Sequence, residues 1–230
     1  MSTPPQAQTA HQAQPADPNS DRLRGCYTGV VHDVMRAMGQ ANFTLPPEIR
    51  PIFPEAAIAG PAFTIDGQVR AGADAHETLL AWTGLLSQCP AGHLWASQPN
   101  DRIVAHMGEL SAETLKNKGV LGCVVDGFVR DTNFLLGIGF QTWCRGFTPR
   151  DVVGHWLPRA VGVDIRIGDV VIEPGDYLVG DRDGMIRVPR ALLADVLDQS
   201  EAAMATESKV RQAILEGVDP QQAYLRFGKF

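Results

Sequence analysis

The sequence predicts a mixed α/β domain, and three observations predict it. Helical segments with apolar residues at helical spacing alternate with β-branched strands through the first two-thirds of the chain. A run of short strands divided by Gly-Asp and Pro-Gly turns fills 161–188. A long periodic helix then follows Pro189.

The elements follow in order. Met1 to Ser20 contains no Lys or Arg and no apolar core segment, which argues against a signal or transit peptide and reads as a disordered tail. The remainder, 21–230, reads as one domain with a C-terminal helical extension, long enough to bury a core. Tyr27 to Gly39 reads as an amphipathic helix with Thr28 as its N-cap and Gly39 beyond its end. A Pro-rich loop from Leu45 to Pro54 precedes a strand from Gly60 to Arg70 and a helix from Ala75 to Leu86. Glycines bracket a short helix at 108–119, whose lysines sit near the end that favours them. Gly122 to Asp126 reads as a buried strand, with a turn at Gly127, a helix from Thr132 to Leu136 and a strand from Gln141 to Arg145. Several antiparallel strands follow, with a tight hairpin at Asp181 to Gly184. Ala191 to about Glu216 is the long helix, and Asp219-Pro220 starts another as N-cap and first residue.

Composition excludes several classes of function. Lys and Arg number 20 against 26 Asp and Glu, a net charge of -6, with no basic run of the kind that tracks nucleic acid or an anionic membrane. No apolar run approaches the roughly 18 residues of a membrane span. The four cysteines, Cys26, Cys89, Cys123 and Cys144, are scattered and unpaired in spacing, as expected of reduced thiols in a cytoplasmic protein.

Chemistry is expected at the end of the strand that begins GCVVDGFVRD. Arg130 and Asp131 follow an apolar run, where a strand fixes geometry and a loop gives access. Adjacent residues on an extended backbone point to opposite sides, so the two are expected to seek different partners. A guanidinium fork suits a substrate carboxylate, and one aspartate with waters suits Mg²⁺. The plainer reading, two solvated turn residues, stands beside this one on the dipeptide alone.

Six ordered motifs carry a more specific signal: Gly60-Pro-Ala62, Gly108-Glu-Leu110, Val125-Asp-Gly-Phe-Val-Arg-Asp131, Arg145-Gly-Phe-Thr-Pro-Arg-Asp151, Pro174-Gly-Asp176 and Asp181-Arg-Asp-Gly184. Through them, nearly all of Leu23 to Leu215 resembles the class II, metal-dependent 4-hydroxy-4-methyl-2-oxoglutarate/4-carboxy-4-hydroxy-2-oxoadipate aldolases, which share a fold with the regulators of ribonuclease E activity. The aldolases carry an acidic residue, twenty intervening residues, then Arg-Asp. Glu109 and Arg130-Asp131 keep that spacing here, with Glu109 where the family has Asp.

The resemblance implies a β/β/α sandwich of swivelling-domain type, assembled as a homotrimer or homohexamer. It implies that Asp131 binds Mg²⁺ or Mn²⁺, that Arg130 binds the oxo-acid substrate, and that the backbone at Gly108, Leu110 and Ser111 receives the pyruvate carboxylate. Glu109 would relay protons, and Arg150 would meet a distal carboxylate. Glu207 is a candidate contributed by a neighbouring subunit. The implied reaction is retro-aldol cleavage of a 4-hydroxy-2-oxo di- or tricarboxylic acid to pyruvate and a second oxo-acid, with oxaloacetate decarboxylation as its corollary. No Schiff-base lysine is expected, since Lys116, Lys118, Lys209 and Lys229 all lie outside apolar strands. Two alternatives remain: a non-enzymatic regulator of the ribonuclease E type, and a lyase for another sugar-acid-derived oxo-acid.

The histidines show no zinc-site spacing and are expected to be structural or at the surface, with His106, two residues before Gly108, close enough to contribute to substrate recognition. Asp126 is expected to be a turn residue beside Gly127. The Arg145 to Asp151 loop reads either as a simple Pro/Gly connection or as a wall of the pocket.

Overall fold

The computed structural model describes residues 17–53 and 55–230. Residues 1–16 of the expected tail, and Pro54 at the close of the Pro-rich loop, lie outside the described residues. The expected tail runs too far. Asp17 accepts hydrogen bonds from the Asn19 and Ser20 amides at 3.2 and 3.3 Å, and Pro18 opens helix α1 (Pro18–Arg24). That is an ordinary N-cap followed by proline in the first turn.

Helix α2 (Thr28–Ala37) forms as expected and ends at Gly39 with φ 74°. Thr28, however, is not its cap. Its amide and hydroxyl both donate to the Asp181 carboxylate, at 2.8 and 2.7 Å, so the helix start is satisfied from across the fold.

The following elements alternate: β1 (Arg50–Pro51), β2 (Ile58–Val69), α3 (Ala75–Gln88), β3 (Leu94–Gln98), α4 (Glu109–Asn117), β4 (Gly122–Val125), β5 (Phe128–Val129), α5 (Thr132–Ile138), β6 (Gln141–Cys144) and β7 (Gly146–Phe147). Then come β8 (Trp156–Val161), β9 (Ile165–Ile167), β10 (Val170–Ile172), β11 (Tyr177–Asp181) and β12 (Gly184–Val188). A short 3-10 turn, Arg190–Leu192, leads into α6 (Leu193–Leu215) and α7 (Pro220–Phe227), where Asp219 caps the Gln221 amide at 3.0 Å.

The main sheet has the order β1-β6-β4-β3-β2-β11-β12. Strands β2, β3, β4 and β6 are parallel, with helices in the connections. The long β2 pairs β11 through its first half and β8 through its second. This is the mixed α/β, β/β/α architecture expected.

Every residue of β4 and four of the five in β3 are buried, as a parallel sheet covered on both faces requires. Alternation then sorts them. Ile65, Trp95, Cys123 and Val125 join the core under α3, α4 and α5, with Met107, Leu115 and Trp156. Ala62, Leu94, Ala96 and Val124 face a second core with Ile58, Trp143, Ile165 and Leu178. A third core seats α1, α2 and α6 on β11 and β12 through Leu23, Val31, Met35, Ile186, Val196 and Leu197.

Candidate active site

Three connections converge at the ends of the parallel strands, and hydrogen bonds from residues behind them fix their paths. Asp101, in the β3–α4 connection, is the anchor of the first. One of its oxygens accepts from the Ile103 and Val104 amides at 3.1 and 2.9 Å and meets His106 Nε2 at 3.0 Å. The other oxygen meets His155 Nε2 at 3.1 Å. Burial opposes ionisation of Asp101, but the His106 bond, those two amides and His155 outweigh it and hold the carboxyl well below its usual range. Burial holds His106 neutral against the pull of Asp101, so Nε2 carries the proton and donates it.

This anchored loop then runs beside β5. Ala105 donates to the Arg150 carbonyl at 2.9 Å, His106 to the Phe128 carbonyl at 2.8 Å, and Arg130 to the Met107 carbonyl at 2.9 Å. Strands β5 and β7 pair in parallel, and Thr148 donates to the Val129 carbonyl at 3.1 Å. His106 is buried behind the cavity, outside its lining, and its bond to Asp101 fixes the main chain that sets Gly108 against Arg130.

Asp126 lies in the expected bend beside Gly127 but does more than turn the chain. It is buried, with Arg145 Nε at 2.5 Å on one oxygen and Arg102 Nη2 at 3.0 Å on the other. It bends the chain together with Gly127, and its carboxylate also pins β4 to the β6–β7 segment.

Arg130 and Asp131 differ from expectation. Asp131 does not continue an extended backbone; it takes left-handed angles, φ 54° and ψ 36°, as the residue flanking α5. That conformation is uncommon for a residue other than glycine. It turns the carboxylate back, so that Oδ2 lies 3.4 Å from Arg130 Nε and accepts the Glu109 amide at 3.1 Å. Asp131 therefore caps α4, the helix of the neighbouring connection. Arg130 Nη1 also lies 3.6 Å from Asp151.

Gly108 makes this approach possible. A Cβ there would stand 2.8 Å from Asp131 Oδ2 and 3.0 Å from Arg130 Cγ. The Asp131 cap satisfies one of the free amides at the start of α4, and Leu110 and Ser111 bear others that the helix cannot satisfy itself. Those amides and the helix dipole favour an anion.

A cavity of about 550 Å³ opens beside these groups. Gly108, Glu109, Leu110, Ser111, Arg130 and Asp131, six residues singled out in the sequence, all line it. A smaller cavity of about 280 Å³ adjoins it across Arg130 and Asp131, against Phe147, Thr148 and Pro149. The Arg145 to Asp151 loop is therefore a wall of the site.

Two candidates lie elsewhere. Arg150 is exposed and outside the lining of both cavities; its neighbour Asp151 lines the larger one. Glu207 sits on α6, paired with Lys229 at 2.8 Å, and also lies outside both linings. Sequence reasoning missed Asp151 and the apolar wall of Leu79, Trp82, Leu86 and Val152. Asp151 stood beside Arg150 in a quoted motif, and Leu79, Trp82, Thr83 and Leu86 share one face of α3 by their spacing.

Among the described residues, no three His, Cys, Asp or Glu side chains cluster as ligands for a metal. The Asp131 carboxylate has a side chain 39% exposed, and Glu109 and Asp151 line the same cavity. One hard carboxylate among few suits Mg²⁺ or Mn²⁺ that retains several waters, and does not suit a closed zinc cage. All four cysteines are free and buried; desolvation pushes Cys89 and Cys123 up to about 12 and Cys144 up to about 11, so thiolate chemistry is absent from this region. No helix among the described residues is long and apolar enough to cross a membrane.

Comparison with known proteins finds relatives of the chain as a whole. Residues 28–187 match the family model described as RraA-like: Aldolase/RraA. A provisionally named 4-hydroxy-4-methyl-2-oxoglutarate aldolase of Halalkalibacterium halodurans is 29% identical over 181 residues, covering 77% of this chain and 81% of that protein. A solved structure from Pseudomonas syringae pv. tomato superposes with TM-score 0.83 at 24% identity, over 96% of this chain and all of that one (100%). An unusual Streptomyces coelicolor member of the RNase ES inhibitor RraA family superposes with TM-score 0.76 at 23% identity, over 86% of this chain and 98% of that one.

Proposed function

The chain belongs to the RraA-like (Aldolase/RraA) family, and from that premise we propose that it is a divalent-metal-dependent lyase that cleaves a 4-hydroxy-2-oxo acid to pyruvate and a second carbonyl compound. The observation that carries this reading is the convergence of Arg130, Asp131 and Glu109 on one cavity at the start of α4. The Halalkalibacterium relative named as an aldolase supports it.

In this mechanism the Leu110 and Ser111 amides receive the carboxylate of the pyruvyl half. The Arg130 fork donates to the oxo-acid oxygens and holds them where negative charge accumulates. Removal of the C4 hydroxyl proton breaks the C3–C4 bond and leaves the electron pair as a pyruvate enolate. Glu109, on the cavity wall, relays that proton through water and returns one to C3, which completes pyruvate. Mg²⁺ or Mn²⁺, held by Asp131, would supply Lewis-acid stabilisation of the enolate. Oxaloacetate decarboxylation yields the same enolate and belongs to the same proposal. So does a homotrimer or homohexamer in which Glu207 of a second copy approaches the cavity.

The test is pyruvate release from a panel of 4-hydroxy-2-oxo acids with Mg²⁺ and with chelator, using Asp131→Ala alongside. Metal-dependent release, lost in Asp131→Ala, is the expected result. Undiminished activity in that variant would remove Asp131 as the metal ligand. Absence of lyase activity throughout the panel would favour a non-enzymatic regulator.

A further inference from the structure

We propose that the Ser111 hydroxyl is a further substrate-binding donor, held by the indole of Trp82 so that its proton meets the carboxylate of the pyruvyl half; the identity of that ligand rests on the aldolase reading. Both side chains line the larger cavity, together with Arg130 and Asp131. Trp82 Nε1 donates to Ser111 Oγ at 2.9 Å. An indole N–H is a donor only, so this bond takes up one lone pair of the hydroxyl and leaves its proton to give.

That proton has no acceptor on its own helix. Other helical hydroxyls nearby donate back one turn: Thr83 Oγ1 to the Leu79 carbonyl at 2.8 Å, Ser87 Oγ to the Thr83 carbonyl at 3.0 Å, and Thr114 Oγ1, also on α4, to the Leu110 carbonyl at 2.7 Å. Among the described residues Ser111 Oγ enters a hydrogen bond only as the acceptor from Trp82. The carbonyl one turn before it, Met107, accepts the Arg130 amide at 2.9 Å instead. A helical side chain leans toward the N-terminal end of its helix, and that end of α4 is where Gly108 meets Arg130 and Asp131. The Ser111 amide is a first-turn donor that α4 leaves free. One residue thus presents an amide and a hydroxyl to the same carboxylate, and accepting from Trp82 strengthens the hydroxyl as a donor.

Trp82 can hold the hydroxyl because the core fixes its ring. It packs against Trp95 and Trp156, with centroids 5.7 and 5.8 Å away at interplanar angles of 58° and 74°. Trp156 is tied in turn by Nε1 to the Pro99 carbonyl at 2.8 Å. The core would be served equally by a Ser111 hydroxyl that donated back along α4; leaving the proton free serves a ligand.

The test uses the full chain with Mg²⁺ and measures calorimetric binding of pyruvate, kcat and KM on the best substrate of the oxo-acid panel, and Tm. Ser111→Ala should weaken pyruvate binding about 10- to 100-fold, the range for a hydrogen bond to a charged group. KM should rise by a similar factor with kcat little changed, because the carboxylate keeps its charge throughout the reaction. Ser111→Thr keeps the hydroxyl and should regain most of that affinity. Trp82→Phe frees the hydroxyl to rotate and should weaken binding about 2- to 10-fold, an effect that should vanish when Ser111 is already alanine. The double variant has no indole N–H left without a partner, so its comparison with Trp82→Phe carries the test if Ser111→Ala does not fold. Loss of Tm with pyruvate affinity and KM unmoved makes the pair structural and overturns the inference while leaving the lyase reading intact. A Trp82→Phe effect of equal size with and without Ser111 overturns the positioning role of Trp82. The expected binding pattern without cleavage of any panel member overturns the lyase reading and sustains the inference. Neither pyruvate binding nor cleavage by the unaltered protein overturns both.

Discussion

Gly108→Ala puts a methyl group into the contact between α4 and the Arg130-Asp131 pair. The new Cβ would lie 2.8 Å from Asp131 Oδ2 and 3.1 Å from Arg130 Nε, inside normal contact distance. The backbone at 108 is extended, with φ -153° and ψ -175°, which alanine adopts freely, so the substitution strains side-chain positions and not the main chain. The least costly response is rotation of the Asp131 carboxylate away from the Glu109 amide. Losing that partly solvated bond costs about 0.5–1.5 kcal/mol, while alanine returns about 0.4–1 kcal/mol by restricting the unfolded chain. Net stability should therefore change by no more than about 1 kcal/mol, or about 2–4 °C in Tm for a chain of this size. Activity should respond differently, because displacement of reacting groups by about 1 Å costs on the order of 100-fold. The assay is kcat/KM for pyruvate release beside a thermal melt. A variant with near-normal kcat/KM would refute the claim that Gly108 sets the geometry of Arg130 and Asp131. A collapse of Tm by 10 °C or more would show that the contact holds the fold instead.

Three further outcomes are expected. Arg130→Lys keeps the charge but loses the planar fork, and should lower kcat/KM by about 100- to 1,000-fold with Tm preserved, measured by the same pair of assays. Asp126→Ala leaves Arg145 without the partner at 2.5 Å in a mostly buried setting, and should cost about 3–5 kcal/mol in denaturant unfolding. His106 is held below its ordinary value of 6.5 by burial, so the unfolded chain binds the proton more readily. Its contribution to stability is therefore complete above pH 6.5 and is lost as pH falls from there toward its folded value, by at most about 1.4 kcal/mol per pH unit. His106→Gln should be less stable at pH 7 yet show a flatter fall in Tm between pH 7 and 5; an unchanged slope would remove His106 as the titrating group.

Local pattern made β2, α3, α4 and β4 legible in the sequence, because caps, glycines and alternating apolar residues act within a few positions. What escaped depends on distant partners. Thr28 has the residue type of an N-cap, but its hydroxyl binds Asp181, on a strand near the other end of the chain. Asp126 beside Gly127 has the composition of the bend it forms, but Arg145 and Arg102 also bury it. The two-residue pairing of β5 with β7 is too short for any periodic signal. The left-handed angles of Asp131 were equally hidden, since an aspartate there is permitted without being announced. Arg150 drew attention by its charge, while the cavity takes Asp151. By contrast Pro18, preceded by Asp17, did announce α1, and the polar composition of the preceding residues obscured it.

Helix α3 supplies Leu79, Trp82, Thr83 and Leu86 to the cavity, whereas Gly108, Glu109, Arg130 and Asp131 come from the next two connections. On the proposed lyase reading, recognition and reaction are thus written on different pieces of backbone. Drift along one face of α3 can retune which molecules enter without touching the groups that break the bond. A library randomised at Leu79, Thr83 and Leu86 alone is accordingly the shortest route to a catalyst with a new diet, and the same route is open to natural divergence among copies of this gene.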